Sequence, residues 1–296
     1  MIRVSLTRLA RLLFLVPFAA LLYTPSPVLA KGFVPSLGSA SAFGVLAGTA
    51  VTCTNGGGTT VVAGSVGEWP NNAFTNSPPC TFSGASHLGD STAEAAYTDF
   101  INAYNNLLYN PPACDFTLTG SLAGEVLMPG VYCIDAVAKA GTLTLDAGTA
   151  GANAVWIFLV DGALTSTGFN VVIINGGDPC NVYWRTGLNA GATLTTTNFA
   201  GTILSGAAIT VTATNGTVHG DLFATTAVTL SLTNSTVTAC QLTGGPDNVK
   251  GKCNQGVGNG PEGCDPGNSN QGDPSRSNDE LGGTPGNPGR KGGNGK

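Results

Sequence analysis

Short stretches of alternating apolar and polar residues recur along residues 191–238. Leu194, Val211, Ala213, Leu230 and Leu232 fall between threonines, and the pattern returns every 19 residues. At that offset Thr193, Thr212 and Ser231 share a column, as do Thr195, Thr214 and Thr233, and also Asn198, Thr217 and Thr236. Gly201-Thr202-Ile203-Leu204 returns as Gly220-Asp221-Leu222-Phe223. A period of two puts the apolar residues on one side of a strand and the threonines on the other. A longer fixed period marks coils that bury their apolar sides on their neighbours. The pattern therefore predicts a mainly β chain, a β-solenoid with threonine ladders on an outer surface.

Upstream, residues 42–47 and 60–66 read as short buried strands, and the second resembles residues 217–222. Asn55-Gly56-Gly57-Gly58 is a turn. Residues 69–84, rich in Pro and Asn, read as a loop held by Cys80. Residues 91–109 form the one predicted helix. Apolar residues at 93, 96, 97, 100, 101, 104, 107 and 108 keep helical spacing over four turns. Ser91-Thr92-Ala93-Glu94 offers a capping box, and Asn110-Pro111-Pro112 ends the helix. Its stripe of Tyr97, Phe100 and Tyr104 reads as a face docked along the solenoid and not as a ligand groove. Residues 116–187 return to strands, among them Thr142–Leu145, Ala154–Phe158, the continuously apolar Val171–Ile174, and Cys180–Trp184.

The ends of the chain differ from this middle. Arg3, Arg8 and Arg11 precede an apolar run from Leu12 to Leu22, and Val28-Leu29-Ala30 offers a cleavage site. Residues 1–30 are therefore expected to be a secretory signal peptide, since the run is too short to span a bilayer. Residues 247–296 are dense in Gly, Asn, Pro and Ser and are expected to be a flexible tail. That leaves residues 31–246 as the folded domain of a secreted, extracellular protein with no membrane insertion. Eight cysteines in such a chain point to disulfides. Sequence alone does not fix the pairing; the nearest-neighbour set is Cys53–Cys80, Cys114–Cys133, Cys180–Cys240 and Cys253–Cys264. Zinc spacing of the C-x₂-C type is absent, and no cofactor or metal is expected.

Charge narrows the function. Between residues 32 and 249 the only basic residues are Lys139 and Arg185, so no nucleic acid or anionic membrane is an expected partner. Catalysis is not expected either. Asp115, Glu125, Asp135, Asp146, Asp161, Asp178 and Asp221 read as single acids, mostly at turn positions, where glycoside chemistry needs two facing carboxylates. His219 falls in a column with Ala200 and Thr238 and reads as an exposed strand residue. What remains is the threonine lattice. Stacked coils lie about 4.8 Å apart and alternate strand positions about 6.7 Å apart. Stiff β-branched side chains at that spacing suit a repeating ligand, of which ice is the most regular. Threonine is also simply a good exposed strand residue, and the residues alone leave both readings open.

A wider resemblance bears on the choice. Residues 37–48, Met128-Pro129-Gly130-Val131-Tyr132, Gly141–Asp146, Ala154–Phe158, Ile174-Asn175-Gly176, Asn181–Trp184 and Gly201–Leu204 occur in the order found in the bacterial and fungal ice-binding protein family. The chain resembles that family over about residues 36–240. The resemblance implies a right-handed, discontinuous, three-sided β-solenoid with a helix alongside, N-terminal and C-terminal segments that interleave around the stack, and no cofactor. It implies adsorption to ice, with thermal hysteresis and inhibition of recrystallisation. Family members carry a T-(A/G)-x-(T/N) motif. Thr167-Gly168-Phe169-Asn170 matches it, and Thr195–Asn198, Thr214–Thr217 and Thr233–Thr236 keep its outer positions. The expected ice-binding residues are thus Thr167, Asn170, Thr195, Asn198, Thr214, Thr217, Thr233 and Thr236, and the expected partner of a monomeric chain is an ice crystal surface. Asn215-Gly216-Thr217 and Asn234-Ser235-Thr236 are also glycosylation sequons. The alternative is a non-catalytic extracellular carbohydrate-binding or adhesion module. It would need outward aromatic platforms, for which Tyr183 and Trp184 are the candidates.

Overall fold

A computed structural model describes residues 34–240. The expected signal peptide, the tail and the Cys253–Cys264 pairing lie outside the described residues.

One turn of the chain illustrates the rest. Thr202–Ser205 lies on a first side, here face A. The long strand Ile209–His219 bends at Asn215, whose φ is 50°. Residues 209–214 therefore lie on face B and residues 217–219 on face C. The next turn repeats this with Leu222–Ala224, Ala227–Thr233 and Thr236–Thr238. All pairings between these turns are parallel, and Ile203 meets Leu222 at an offset of 19 residues. The corner from face C to face A needs glycine. Gly201 and Gly220 have φ of 122° and 144°, and a Cβ on Gly220 would lie 2.1 Å from the Gly201 carbonyl oxygen. This close approach explains why the glycine leads the repeated four-residue motif.

The stack is discontinuous in the chain. Along face A the strands run Ser86–Leu88, Ser65–Glu68, Phe43–Ala47, Leu222–Ala224, Thr202–Ser205, Val182–Arg185, Trp156–Asp161, Gly130–Asp135 and Phe116–Leu118. The first coil thus sits on the last: Val45 pairs with Leu222, Cys53 with Leu230 and Val62 with Val237. From this seam the chain winds to one end of the stack. It returns through helix α1 (Ser91–Tyr109) and winds back from the other end. Residues 61–63 resemble the late coils because they form the next coil on face C. The two segments adjoin at one seam and do not alternate coil by coil.

Face A is covered on both sides, which accounts for its continuously apolar strands. Its inward residues join the core of the stack, where Phe116, Tyr132, Phe158 and Trp184 form a ladder of rings with centroids 5.3, 5.4 and 3.9 Å apart. Its outward residues meet α1 through Ala96, Phe100, Ala103, Tyr104 and Leu107. Phe100 lies 5.7 Å from Phe223, and the Tyr97 and Tyr104 hydroxyls donate to the carbonyls of Thr225 and Gly187. The N-cap is Asp90, not Ser91. Its carboxylate accepts from the Ala93 N–H at 2.8 Å and meets His87 Nδ1 at 2.9 Å, so the anion outcompetes a serine hydroxyl one residue later. Residues 69–84 do more than loop. Phe74–Asn76 and Thr81–Phe82 add a further partial coil beside Cys53–Cys80, since they extend the ladders of residues 51–53 and 61–62. Cys114–Cys133 and Cys180–Cys240 are also joined.

Asp221 is fully buried at the corner before face A. Its carboxyl accepts from the Cys240 N–H at 2.7 Å and lies 3.3 Å from the Thr202 hydroxyl. Burial pushes its pKa up to about 7, against the lowering effect of those two bonds. A carboxyl raised on folding holds its proton longer in the folded state, so its contribution to stability falls as pH rises from about 4 to 7. Asp221→Asn keeps the acceptor for Cys240 without the charge. The difference in melting temperature between variant and parent is expected to shift in favour of the variant from pH 5 to pH 8. A difference independent of pH would contradict this account.

Candidate functional site

Face B is where the threonines gather. On Ile209–His219 the inward residues Ile209, Val211 and Ala213 are buried, and Thr210, Thr212 and Thr214 point out. Ala227–Thr233 repeats this with Val228, Leu230 and Leu232 inward and Thr229, Ser231 and Thr233 outward. Register then builds columns across the coils. Thr165 pairs with Thr193, Thr193 with Thr210, Thr210 with Thr229, Thr229 with Thr52, and Thr52 with Thr75. A second column runs through Thr195, Thr212, Ser231 and Thr54. These side chains repeat about every 4.8 Å along the stack and about every 6.7 Å across it.

The columns differ from those of a uniform 19-residue period. On face B, Thr193 pairs with Thr210 and Thr195 with Thr212, so Thr193 is not beside Thr212, nor Thr195 beside Thr214. The offset returns to 19 on face C, where Asn198, Thr217 and Thr236 do form a column, as do Ala200, His219 and Thr238. Between them the strand Ile209–His219 holds two extra residues. Its partner turns the corner early: Thr196 points inward and donates to the Phe169 carbonyl at 2.7 Å. Thr214-Asn215-Gly216 bulges outward instead, with the Gly216 N–H donating to the Ser235 hydroxyl.

Each expected Thr-x-x-(Thr/Asn) pair consequently straddles the corner between faces B and C. Thr167, Thr195, Thr214 and Thr233 stand on the face B side, and Asn170, Asn198, Thr217 and Thr236 begin face C. Asn170 is engaged within the fold. Its Oδ1 accepts from the Thr197 hydroxyl at 2.7 Å, the Asn198 N–H at 3.0 Å and the Thr197 N–H at 3.3 Å. Backbone pairing between these two coils stops after Leu164 and Thr165, and the side chains of Ser166, Asn170 and Thr196 bridge the gap. The sequons lie on the corner itself, where the Asn234 amide donates to the Asn215 Oδ1 at 2.8 Å. Thr52, Thr54, Thr75, Thr165, Thr210 and Thr229 stand on face B without being among the residues that the motif predicts. The alternation of Ala50-Val51-Thr52-Cys53-Thr54 was the available signal for two of them.

The site carries almost no charge. Residues 50–63, 192–200, 209–219 and 227–238 hold no Asp, Glu, Lys or Arg, and His219 is their one titratable side chain apart from the disulfide-bonded Cys53. The two basic residues of the core lie elsewhere. Lys139 is buried against Asp135 and the Gly120 carbonyl, and Arg185 donates to the Val160 carbonyl. Asp135 and Asp161 are neighbours in register rather than isolated acids. Asp135 is bound by Lys139 at 2.7 Å and by the Gly120 N–H at 3.0 Å, and these bonds hold its carboxyl below the usual range, unlike a general acid. Tyr183 and Trp184 are both buried, so neither is an outward platform. Among the described residues no cluster of three or more His, Cys, Asp or Glu can hold a metal. No described helix is long and apolar enough to cross a membrane.

The profile of the Ice-binding-like family matches residues 45–238, the span of coils just described. The chain belongs to that family. It is 37% identical over 182 residues to an ice-binding protein of Nostoc sp. (strain HG1), covering 60% of this chain and 65% of that protein. It is 33% identical over 224 residues to ice-binding protein 1 of Shewanella frigidimarina (strain NCIMB 400), covering 64% of this chain and 24% of that protein. This chain thus spans less than two thirds of either relative. Its fold is similar to the crystal structure of an ice-binding protein from the Antarctic ascomycete Antarctomyces psychrotrophicus. The TM-score is 0.61 and the identity 32%, covering 70% of this chain and 98% of that one.

Asn170→Ala removes the acceptor for three donors at the gap between coils. It is expected to lower stability by about 1–3 kcal/mol. Thr167→Ala, at a neighbouring exposed position, should stay within about 0.5 kcal/mol of the parent. Urea denaturation of the two variants checks the contrast.

Proposed function

We propose that the protein adsorbs to ice through face B. The observation that carries this reading is the column Thr165, Thr193, Thr210, Thr229, Thr52 and Thr75, six threonines in register on successive coils. Its relatives in Nostoc and Shewanella frigidimarina, both ice-binding proteins, agree with it. Each hydroxyl can hold a water and each methyl limits where that water sits. The side chains are β-branched and fixed by strands buried beneath them, so ordering them costs little entropy. Water held in this way bridges protein and crystal as well as a direct hydrogen bond would. An adsorbed chain forces ice to grow as curved fronts between anchoring points. That lowers the freezing point below the melting point and slows recrystallisation.

Thr167, Thr195, Thr214 and Thr233 belong to this face or its edge. The work is done outside the cell, in keeping with the N-terminal segment of residues 1–30, and involves no turnover. A sugar-binding reading lacks support, because both candidate platform aromatics are buried.

Thr212→Tyr with Thr229→Tyr puts two large rings at the centre of face B. The pair is expected to remove most of the thermal hysteresis while the melting temperature stays within a few degrees of the parent. Nanolitre osmometry with circular dichroism reads both. Undiminished hysteresis in a folded variant would sink the assignment.

A further inference from the structure

We infer that the cleft at the C-terminal end of helix α1 is a binding site for a small zwitterion, a free α-amino acid with an aliphatic side chain. The helix stops at Tyr109, and Pro111 and Pro112 beyond it form one wall of a cleft of about 390 Å³ on the outer side of face A. The floor follows from strand register. Arg185, Leu159, Cys133 and Thr117 pair in one row across four strands, and Asp161 pairs with Asp135 in the next row. Trp184, Phe158 and Val160 alternate with these residues and point into the core, so both rows face outward.

Two opposite charges stand open in this cleft. Arg185 is only 9% exposed. Its Nη1 donates to the Val160 carbonyl at 3.3 Å, and its Nε is buried without a partner. A buried cation with an unmet donor is costly. Among the described residues neither Arg185 nor the exposed Asp161 belongs to an ion pair. Asp161 stands one strand over and two residues along from Arg185, a diagonal of about 8 Å. Asp135 is already bound by Lys139. The cleft thus offers one free cation and one free anion, with Leu159 and the Cys114–Cys133 disulfide between them. A carboxylate can accept two parallel N–H bonds from the free edge of the guanidinium, the geometry that suits arginine. The ammonium of the same molecule then donates to Asp161, and its aliphatic side chain rests on Leu159 and the two prolines. Apolar walls strengthen both charged contacts. A carboxylate without an amine would meet the uncompensated charge of Asp161, and an amine without a carboxylate would leave the guanidinium unmet.

Isothermal titration calorimetry of the purified full chain tests this with three probes: L-leucine, leucinamide, which lacks the carboxylate, and 4-methylpentanoate, which lacks the amine. The expected result is one leucine per chain with a Kd on the order of 1 mM, and both analogues about ten-fold weaker. Arg185→Gln should abolish leucine binding. Asp161→Asn should weaken leucine about ten-fold while 4-methylpentanoate binds no worse than to the parent. Asp161 is exposed and makes no hydrogen bond among the described residues, so this variant carries the test alone should Arg185→Gln fail to fold. No saturable heat up to about 20 mM leucine would overturn the inference. So would equal affinity for leucine and 4-methylpentanoate, or unchanged leucine binding in Asp161→Asn. Both substitutions lie on face A, and thermal hysteresis is expected to match the parent, so this inference and the reading of face B stand or fall separately.

Discussion

The parallel backbone ladder between residues 222–238 and residues 45–63 is the contact on which the other coils depend. It joins the last coil made to the first, and no covalent neighbour replaces it. Each of its hydrogen bonds contributes only about 1 kcal/mol net. Their position gives them their weight. Across this seam the inward residues Val45, Cys53 and Val62 meet Leu222, Leu230 and Val237 and join the core of the remaining coils. Helix α1 spans it as well, packing in one cluster with Phe43 and Leu46 on one side and Phe223 on the other, so the helix and the seam stabilise one another.

The three sides divide the chemistry. Face A is apolar on both surfaces and is given to the helix. Face C is narrow, interrupted by His219, and apolar at its outer end. Face B alone has strands long enough to show two or three outward threonines per coil over a buried layer of Ile, Val and Leu. Packing from beneath fixes the rotamers above, so the regularity of the surface is a property of the core.

Much of this could be read from the chain. The 19-residue return of Asn198, Thr217 and Thr236 marks true neighbours, because glycine corners repeat with it. The helix was legible over residues 91–109 because its apolar spacing is unbroken. The error of register on face B has a physical source. In Thr-x-Thr-x-Thr stretches an offset of 17 sets threonine beside threonine as well as an offset of 19 does, and alternation cannot tell them apart. The inward turn of Thr196 decides between them, and nothing in Thr195-Thr196-Thr197 announces it. Asn170 matched a surface motif yet binds three donors inside a gap between coils. Thr52 and Thr75 join the column from more than a hundred residues away, across a seam that local pattern cannot reveal.

The absence of charge from the threonine face has a bearing on where such a protein can act. Growing ice rejects dissolved salt, and the liquid beside it becomes a concentrated brine in which the Debye length shrinks to about 3 Å near 1 M. A surface that relied on lysines or carboxylates would be screened there, at the moment its ligand forms. Hydroxyls, methyls and the water between them carry no counterions to exchange. On the proposed reading, the face is expected to keep its affinity in the narrow saline veins that remain liquid between crystals.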